Sequence, residues 1–332
     1  MSIEAVRSAL PSIVHTASDI AAQTGGDAAF IRDKVGLHTR YVLGYGETGV
    51  SLAEDACNAL LQDSALRPSE VDLLVFVTQN PDRRIPQNSA ILAGRLGLPA
   101  NLAAFDLSLG CSGYVYGLAV VEAFLEATGR THALLVTCDP YSRIIAREDL
   151  STNAIFGDAA TATWISRTGR RTRSGPFDFG TDGESGDAIR VDAGGAAAPL
   201  VNEQGGIAQF SRDDLRLRMD GRAVFNFVLG RIPESIASCL KSNELDIGDI
   251  DYFAFHQGSE YMLKMLTKKM GIPDQKVLAN MAEYGNTVSS TIPLLLESLL
   301  TREGLSGKKV LICGFGVGLS WATTVVHFER EK

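Results

Sequence analysis

The sequence predicts an α/β fold in which one strand–helix–strand–helix–strand unit occurs twice. Both copies carry an apolar strand, a turn of the form Gly-x-Pro, a small-residue turn and a second apolar strand. Cys111 lies 12 positions after Pro99 in the first copy, and Asn286 lies 13 positions after Pro273 in the second. Self-similarity on this scale indicates duplicated structural units. The matched segments are, in order, 69–78, 95–99 and 132–137, and 246–256, 269–273 and 309–313.

Cys111 lies between a short apolar strand and a strongly apolar helix. The segment 105–110 runs into a turn of small residues, and the helical pattern of 115–125 ends at Gly129. The thiol is therefore placed at or near a helix N-terminus, where backbone N–H groups favour the thiolate and lower the pKa of a cysteine. A reactive Cys111 is the prediction, and a packed, inert core thiol is the alternative.

Two polar residues of the second copy extend this candidate site. His256 follows the apolar run 252–255 and ends a predicted strand, as Thr78 does in the first copy. Asn286 lies in a Gly-containing turn ahead of the apolar segment 292–300. Taken alone, an Asn beside a Gly is ordinary turn chemistry. Because duplicated halves bring equivalent turns to their shared interface, we expect Cys111, His256 and Asn286 to converge.

The motifs around these residues resemble the β-ketoacyl-acyl-carrier-protein synthase III family of the thiolase superfamily. The resemblance runs from about Phe30 to Phe328, and its motifs are jointly specific although each alone is weak. It implies a thiolase-like layered αβαβα fold with two pseudo-repeated halves, 1–170 with the nucleophilic Cys and 171–332 with the His and Asn. The matching motifs are Cys111 in its small-residue turn, His256-Gln257, Gly285-Asn286-Thr287, 155–158, 219–225 and 314–321.

The resemblance also implies a reaction in two halves. Cys111 would accept an acyl group as a new thioester, which keeps the group reactive. Backbone N–H groups of Cys111 and Gly316 would stabilise the oxyanion, a contribution of about 3–4 kcal/mol per donor in other enzymes. His256 and Asn286 would stabilise the enolate formed when a malonyl thioester loses carbon dioxide. The enolate would then attack the acyl group and give a 3-oxoacyl thioester.

Further residues are expected to bind the substrates or to set their identity. The implied partners are an acyl-coenzyme A or acyl-carrier-protein donor, a malonyl-carrier-protein acceptor and a second copy of the chain. Relatives carry Trp, Arg and Arg where this chain has Phe30, Lys34 and Leu150, which favours a specialised fatty-acid or polyketide-type pathway. The expected substrate-binding residues are Phe30, Lys34, Thr78, Ile85, Ile155, Phe156, Gly221, Phe225 and Ser259.

Composition excludes several other classes. A chain of 332 residues with 45% hydrophobic content can bury a large core, and its net charge of −8 argues against a nucleic-acid partner. Apolar runs are interrupted before about 18 residues, so we expect no membrane span. Five scattered cysteines without a Cys-x-x-Cys pair predict reduced thiols, no metal site and a cytoplasmic location. No cofactor is expected.

Gly314-Phe-Gly-Val-Gly318 resembles a dinucleotide-binding loop, which must be followed by a helix. The next residues are rich in β-branched side chains, so the sequence predicts a strand there and no nucleotide site. Three other functions remain open. They are a cysteine hydrolase in which Asn orients His, a non-catalytic subunit on the same fold, and an acyltransferase that passes the acyl group to an amine or hydroxyl without condensation.

Overall fold

Strands and helices alternate along the chain in a computed structural model, which describes residues 1–202 and 205–329. The first half contains β1 (Ser2–Ala9), β2 (Ile13–Thr16), α1 (Ala17–Thr24), α2 (Ala28–Phe30), β3 (Thr39–Val42), α3 (Gly49–Asp63), β4 (Leu73–Val77), α4 (Asn88–Arg95), β5 (Ala103–Leu107), α5 (Gly113–Thr128), β6 (His132–Cys138), α6 (Leu150–Asn153) and β7 (Ala160–Ser166). The second contains β8 (Thr172–Ser174), β9 (Asp178–Thr181), β10 (Ile189–Arg190), β11 (Arg218–Met219), α7 (Gly221–Ser242), β12 (Tyr252–Phe255), α8 (Glu260–Met270), α9 (Met281–Tyr284), α10 (Thr291–Leu300), β13 (Lys309–Gly316) and β14 (Ser320–Phe328).

Two mixed sheets repeat the same strand arrangement. In the first, β4 pairs in parallel with β5 and β6, and β7 and β1 continue the sheet antiparallel in the order β1-β7-β6-β4-β5. In the second, β12 pairs in parallel with β13, and β14 continues antiparallel towards β8 and β9. Strands β4, β6 and β7 therefore correspond to β12, β13 and β14, as the sequence repeat predicts.

The second copy differs from the first at one edge. The strand that corresponds to β5 is reduced to a single parallel bridge between Phe253 and Val277. Only this one register position is paired because a short helical turn, 274–276, occupies the preceding residues. The middle strand of the predicted strand–helix–strand–helix–strand unit is therefore reduced to one paired position in the second copy.

Five layers result, and the middle one is shared by both halves. Helices α3 and α4 cover the outer face of the first sheet, and α7 covers the outer face of the second. Helices α5 and α10 lie between the sheets and contact strands of both. One buried apolar cluster contains Leu118 of α5, Leu295 of α10, Leu135 of the first sheet and Ile312 of the second. The thiolase-like αβαβα prediction is thus confirmed.

The halves are joined by this cluster. The predicted boundary at residue 170 falls between β7, which belongs to the first sheet, and β8, which belongs to the second. We propose 1–170 and 171–332 as the two halves; within the second, residues 203–204 and 330–332 lie outside the described residues.

Two further segments bear on the function classes considered. Among the described residues, α7 alone is a helix long and apolar enough to cross a membrane. It packs against β9, β13, β14 and α8, as an outer-layer helix of a globular fold does. Gly314–Gly318 is followed by β14, which pairs antiparallel with β13. The strand prediction is confirmed there, and the helix that a dinucleotide-binding loop requires is replaced by a β-hairpin.

Candidate active site

Cys111 lies in the turn between β5 and α5. The N–H of Gly113 donates to the carbonyl of Gly110 at 2.8 Å and closes the turn. A Cβ on Gly113 would clash with Val77 Cγ1, and one on Gly110 would lie 2.5 Å from Gln79 Oε1. The small residues are therefore required because the turn packs against the end of β4. This packing places the thiol, which is only 4% exposed, one residue before the helix cap Ser112.

The environment of the thiol differs from the sequence expectation. Burial raises the pKa of Cys111 to about 12, and the negative charge of Asp139 adds to the increase. Backbone N–H groups of Val317 and of Cys111 itself act in the opposite direction. Desolvation of the charged form outweighs the helix terminus here, so the predicted lowering of the pKa is contradicted. The resting group is a neutral thiol.

The hairpin between β13 and β14 approaches Cys111 from the second half. A Cβ on Gly316 would lie 2.7 Å from Cys111 Cβ and 2.8 Å from its Sγ. The backbone N–H that reaches the sulfur belongs to Val317, the next residue. We therefore propose Val317, in place of Gly316, as the second N–H donor to the oxyanion. Gly316 provides the missing side chain that allows the approach.

His256 directly follows β12, and its backbone N–H donates to the Cys313 carbonyl at 2.9 Å. Its Nδ1 lies 2.8 Å from Thr291 Oγ1, whose hydroxyl donates to the Val288 carbonyl at 3.1 Å. The hydroxyl proton is thus committed, and we assign the ring proton to Nδ1. Burial lowers the pKa of His256 to about 3, opposed by the Val288 carbonyl. The ring is neutral, with its Nε2 lone pair free for a substrate or thiol proton.

Asn286 is fixed by its backbone and by its side-chain oxygen. Its N–H donates to the Ile155 carbonyl at 2.8 Å, and its own carbonyl accepts from Gly157 at 3.0 Å. The preceding Gly285 has φ +69°, a conformation that favours glycine. Asn286 Oδ1 accepts the Val288 N–H at 2.9 Å. Because the oxygen is engaged, the carboxamide presents its NH₂ group as the donor.

Cys111, His256 and Asn286 line one cavity of ≈ 350 Å³. The expected convergence of these three residues is observed, and Gly316 and Val317 lie in the same wall. Further apolar side chains complete it, among them Ile189, Met219, Met262 and Phe315. Ile189 and Met262 lacked a sequence signal, whereas Val317 lay inside the glycine motif. No acidic side chain is found among the described lining residues.

The predicted substrate-binding residues fall into two groups. Ile155, Phe156, Gly221, Phe225 and Ser259 line the cavity. The others lie outside this lining, namely Phe30, Lys34, Thr78 and Ile85.

Three of the residues outside the cavity lining occupy different environments. Thr78 is buried, and its hydroxyl donates to Asp139 Oδ1 at 3.4 Å. Phe30 ends α2 and is half-exposed, while Ile85 is 84% exposed on a loop. The Thr78 assignment is therefore corrected from substrate contact to internal hydrogen bond. For Phe30 and Ile85, a role would require a ligand or partner that extends beyond the cavity.

Within residues 1–202 and 205–329, no group of three or more His, Cys, Asp or Glu side chains is arranged to hold an ion. All five cysteines are free and buried.

The layered fold and the Cys-His-Asn cavity together define a thiolase-fold acyltransferase. Family models described as 3-oxoacyl-[acyl-carrier-protein (ACP)] synthase III and its C-terminal region match residues 105–183 and 240–328. The chain is 33% identical over 322 residues to "Beta-ketoacyl-[acyl-carrier-protein] synthase III 3" of Streptomyces coelicolor, covering 96% of this chain and 94% of that protein.

Solved structures agree with these relatives. A 3-oxoacyl-(acyl-carrier-protein) synthase III superposes with a TM-score of 0.90 at 35% identity, covering 98% of this chain and 99% of the other. The priming β-ketosynthase from the R1128 polyketide pathway superposes with a TM-score of 0.86 at 25% identity, covering 99% and 96%. The chain belongs to the β-ketoacyl-acyl-carrier-protein synthase III family.

The approach of Gly316 to the nucleophile predicts the effect of one methyl group. Gly316→Ala should slow acylation of Cys111 by about 100-fold, because the new Cβ displaces the sulfur from its reactive position. Gly230→Ala in α7 is the matched control, since a Cβ there meets no atom within 4 Å. Acyl transfer is measured by intact-protein mass spectrometry. Wild-type rates in Gly316→Ala would contradict the close approach.

Proposed function

We propose that the enzyme transfers an acyl group to Cys111 and condenses it with a malonyl thioester, with loss of carbon dioxide. The observation that carries the proposal is that a cysteine thiol, a neutral imidazole and an asparagine NH₂ group face one cavity. The thiol supplies a nucleophile, and the imidazole supplies a base. The amide supplies a donor that carries no negative charge.

The first half-reaction follows from the protonation states. Because thiol and imidazole are both neutral, His256 Nε2 takes the thiol proton as the sulfur attacks the acyl thioester carbonyl. The N–H groups of Cys111 and Val317 stabilise the tetrahedral oxyanion. The departing thiolate then recovers the proton from His256. An acyl-Cys111 thioester and a free thiol are formed, and the imidazole is neutral again.

The second half-reaction uses the opposite side of the site. The malonyl thioester carbonyl lies against the Asn286 NH₂ group, which stabilises the enolate as the carboxylate leaves as carbon dioxide. For His256 to add an N–H, the ring changes by proton exchange with solvent to the tautomer protonated at Nε2. The Thr291 hydroxyl then turns from the Val288 carbonyl and donates to Nδ1. The enolate carbon attacks the acyl carbonyl and expels Cys111 as a thiolate, which takes up a proton from solvent and returns to the neutral thiol. The product is a 3-oxoacyl thioester.

The second candidate is acyl transfer to an amine or hydroxyl. Such an acceptor must lose a proton, which calls for a base in the second half-reaction. His256 lines the cavity and could take that proton, as it takes the thiol proton, but such a transfer gives the Asn286 NH₂ group no enolate to stabilise. The position of Asn286 therefore favours condensation. It also disfavours a hydrolase, since Asn286 bonds to Val288, and Thr291 rather than Asn286 orients the His256 ring.

The acceptor, the pathway and the location are more specific than membership of the family, and we propose them separately. We propose a malonyl-carrier-protein acceptor, a specialised fatty-acid or polyketide-type route and a cytoplasmic location. One feature supports a carrier-bound acyl donor. Leu150, where the resemblance places an Arg of the nucleotide site, packs beside an apolar cluster that contains Ile20 and Ile31.

Replacing Asn286 separates condensation from acyl transfer. Asn286→Ala should lose condensation by at least about 100-fold, as for loss of an oxyanion donor, and should keep acylation of Cys111 within a few-fold. Carbon dioxide release and intact protein mass are measured on the same samples, with Cys111→Ala as the variant that loses both. Normal condensation by Asn286→Ala would favour the simple acyltransferase.

Ile85 predicts the oligomeric state. We expect a C₂ homodimer in which the exposed Ile85 loop of one subunit closes the acyl pocket of the other. Ile85→Phe should shorten the preferred acyl chain, and light scattering should give twice the chain mass of 35.5 kDa. Ile207→Phe, at another exposed isoleucine, controls for added bulk. A monomer, or the same length profile in both variants, would oppose this arrangement.

The nucleotide-side residues predict donor preference. Phe30 stacks on an adenine less well than Trp, and Lys34 and Leu150 bind phosphate less well than Arg, at a cost of about 1–3 kcal/mol for each substitution. Coenzyme A thioesters should therefore load Cys111 at least about tenfold more slowly than the same acyl group on a carrier protein. Loading is followed by intact mass at equal donor concentrations. Phe30→Trp should speed loading from coenzyme A alone. Equal rates with both donors in the unmodified enzyme would rule out the preference.

A further inference from the structure

Asp139 is a buried carboxylate that lies outside the cavity lining. It directly follows β6 and has no exposed surface. Burial raises the pKa of Asp139 to about 6, and hydrogen bonds from Ser289, Gln79 and Thr78 oppose the increase. The titratable groups that respond to its charge are Cys111, Cys138 and Tyr141, each with a raised pKa. A buried carboxylate requires hydrogen-bond donors that compensate for its lost hydration. The segments that provide these donors indicate the role of Asp139.

The two carboxylate oxygens are bound by different halves of the molecule. Oδ1 accepts the Gln79 N–H at 2.7 Å and the Thr78 hydroxyl at 3.4 Å, both just beyond β4. Oδ2 accepts the Ser289 hydroxyl and the Ser289 N–H, the latter at 3.4 Å. Asp139 therefore ties the end of the first sheet to the turn that follows Asn286.

That turn sets the geometry of both residues used in the second half-reaction. Val288 orients the Asn286 carboxamide through its N–H and orients the His256 ring through its carbonyl and Thr291. Val288 also has φ +55°, an unfavourable conformation for a β-branched residue. Such a backbone persists only where its surroundings hold it. Ser289, the next residue, is the one that Asp139 binds.

On the other side, Asp139 holds the segment that packs against the nucleophile turn. Gln79, whose N–H it accepts, directs Oε1 towards Gly110 and receives the Tyr141 hydroxyl at 3.0 Å. This side already has strong support from the packing of Gly113 against Val77. Loss of the carboxylate should therefore disturb the Asn286 side more than the Cys111 side.

We propose that Asp139 is a positioning residue that holds the 286–290 turn for the malonyl half-reaction. The proposal rests on the function proposed above. Asp139 lies outside the cavity lining and makes no hydrogen bond to Cys111 Sγ, so it acts through the residues that it holds. Its charge has a second effect on the site, because a nearby carboxylate disfavours the Cys111 thiolate. Removing the charge should therefore weaken one half-reaction and leave or improve the other.

The test compares the two half-reactions in Asp139→Asn, which keeps the shape and removes the charge. Condensation by pre-acylated enzyme, measured as carbon dioxide release in a single turnover, should fall by about 10- to 100-fold. Acylation of Cys111 should stay within about threefold of wild type or rise. Iodoacetamide should alkylate Cys111 at lower pH than in the wild type, since the thiol loses a repelling charge.

Asp158→Asn is the matched control for loss of a buried carboxylate. Asp158 is also fully buried, but its donors are Leu43 and Ser142 of the first half. Asp158→Asn should change neither the ratio of the condensation rate to the acylation rate nor the pH at which iodoacetamide alkylates Cys111. Ser289→Ala removes the donor from the other end of the tie and should lower condensation without changing alkylation. The double variant should lose less than the product of the single losses, because both remove the same hydrogen bond.

The outcomes separate this role from the proposed function. An unmodified enzyme that acylates Cys111 but releases no carbon dioxide would overturn the function itself. Condensation and acylation that fall together in Asp139→Asn, or that both persist, would overturn the positioning role alone. If Asp139→Asn does not fold, as judged by thermal unfolding, Ser289→Ala must still show the selective loss. An unchanged ratio in that variant overturns the role as well.

Discussion

The contact between the β13–β14 hairpin and the Cys111 turn is the constraint on which the site depends. A Cβ on Gly314 would lie 2.7 Å from the Cys111 carbonyl oxygen, and one on Gly316 would lie 2.7 Å from Cys111 Cβ. Two glycines thus bring a strand of the second half against the nucleophile of the first. This approach places the Val317 N–H at the sulfur. A donor held by two paired strands needs no reorganisation when charge develops.

The close contact between the two halves also determines the protonation states of Cys111 and His256. Sealing Cys111 and His256 between the sheets removes water, so both charged forms become unfavourable. A neutral thiol beside a neutral imidazole is the result, rather than an ion pair. Reactivity then arises when a substrate lets the proton move and the oxyanion donors act. The cost of burial also limits unwanted alkylation or oxidation, since the thiolate is the species that reacts.

The sequence predicted the duplicated fold and the three polar residues because these depend on local patterns. Apolar segments, the Gly-x-Pro turns, the small-residue turns and the matched spacing located Cys111 and Asn286. The pKa of Cys111 could not be predicted, because burial by the opposite half outweighs the local helix terminus. The sequence prediction named the N–H of Gly316 instead of that of the next residue, Val317. The glycines indicate where the backbone approaches Cys111, but they do not indicate which N–H points at the sulfur. The shortened strand at Val277 likewise follows from the helical turn at 274–276, which directly precedes it.

The duplication also explains why, in the part of the chain that the structure describes, the two halves share one Cys-His-Asn site. Thr78 and His256 end equivalent strands, yet Thr78 donates to Asp139 while His256 faces the cavity. Cys111 and Asn286 occupy equivalent turns before α5 and α10, the two helices of the shared middle layer. Each half therefore contributes one turn to a single cavity, and the first half uses its remaining strand end for internal hydrogen bonds. Neither half contains the nucleophile together with the enolate-stabilising amide, so the chemistry depends on the buried interface that joins them.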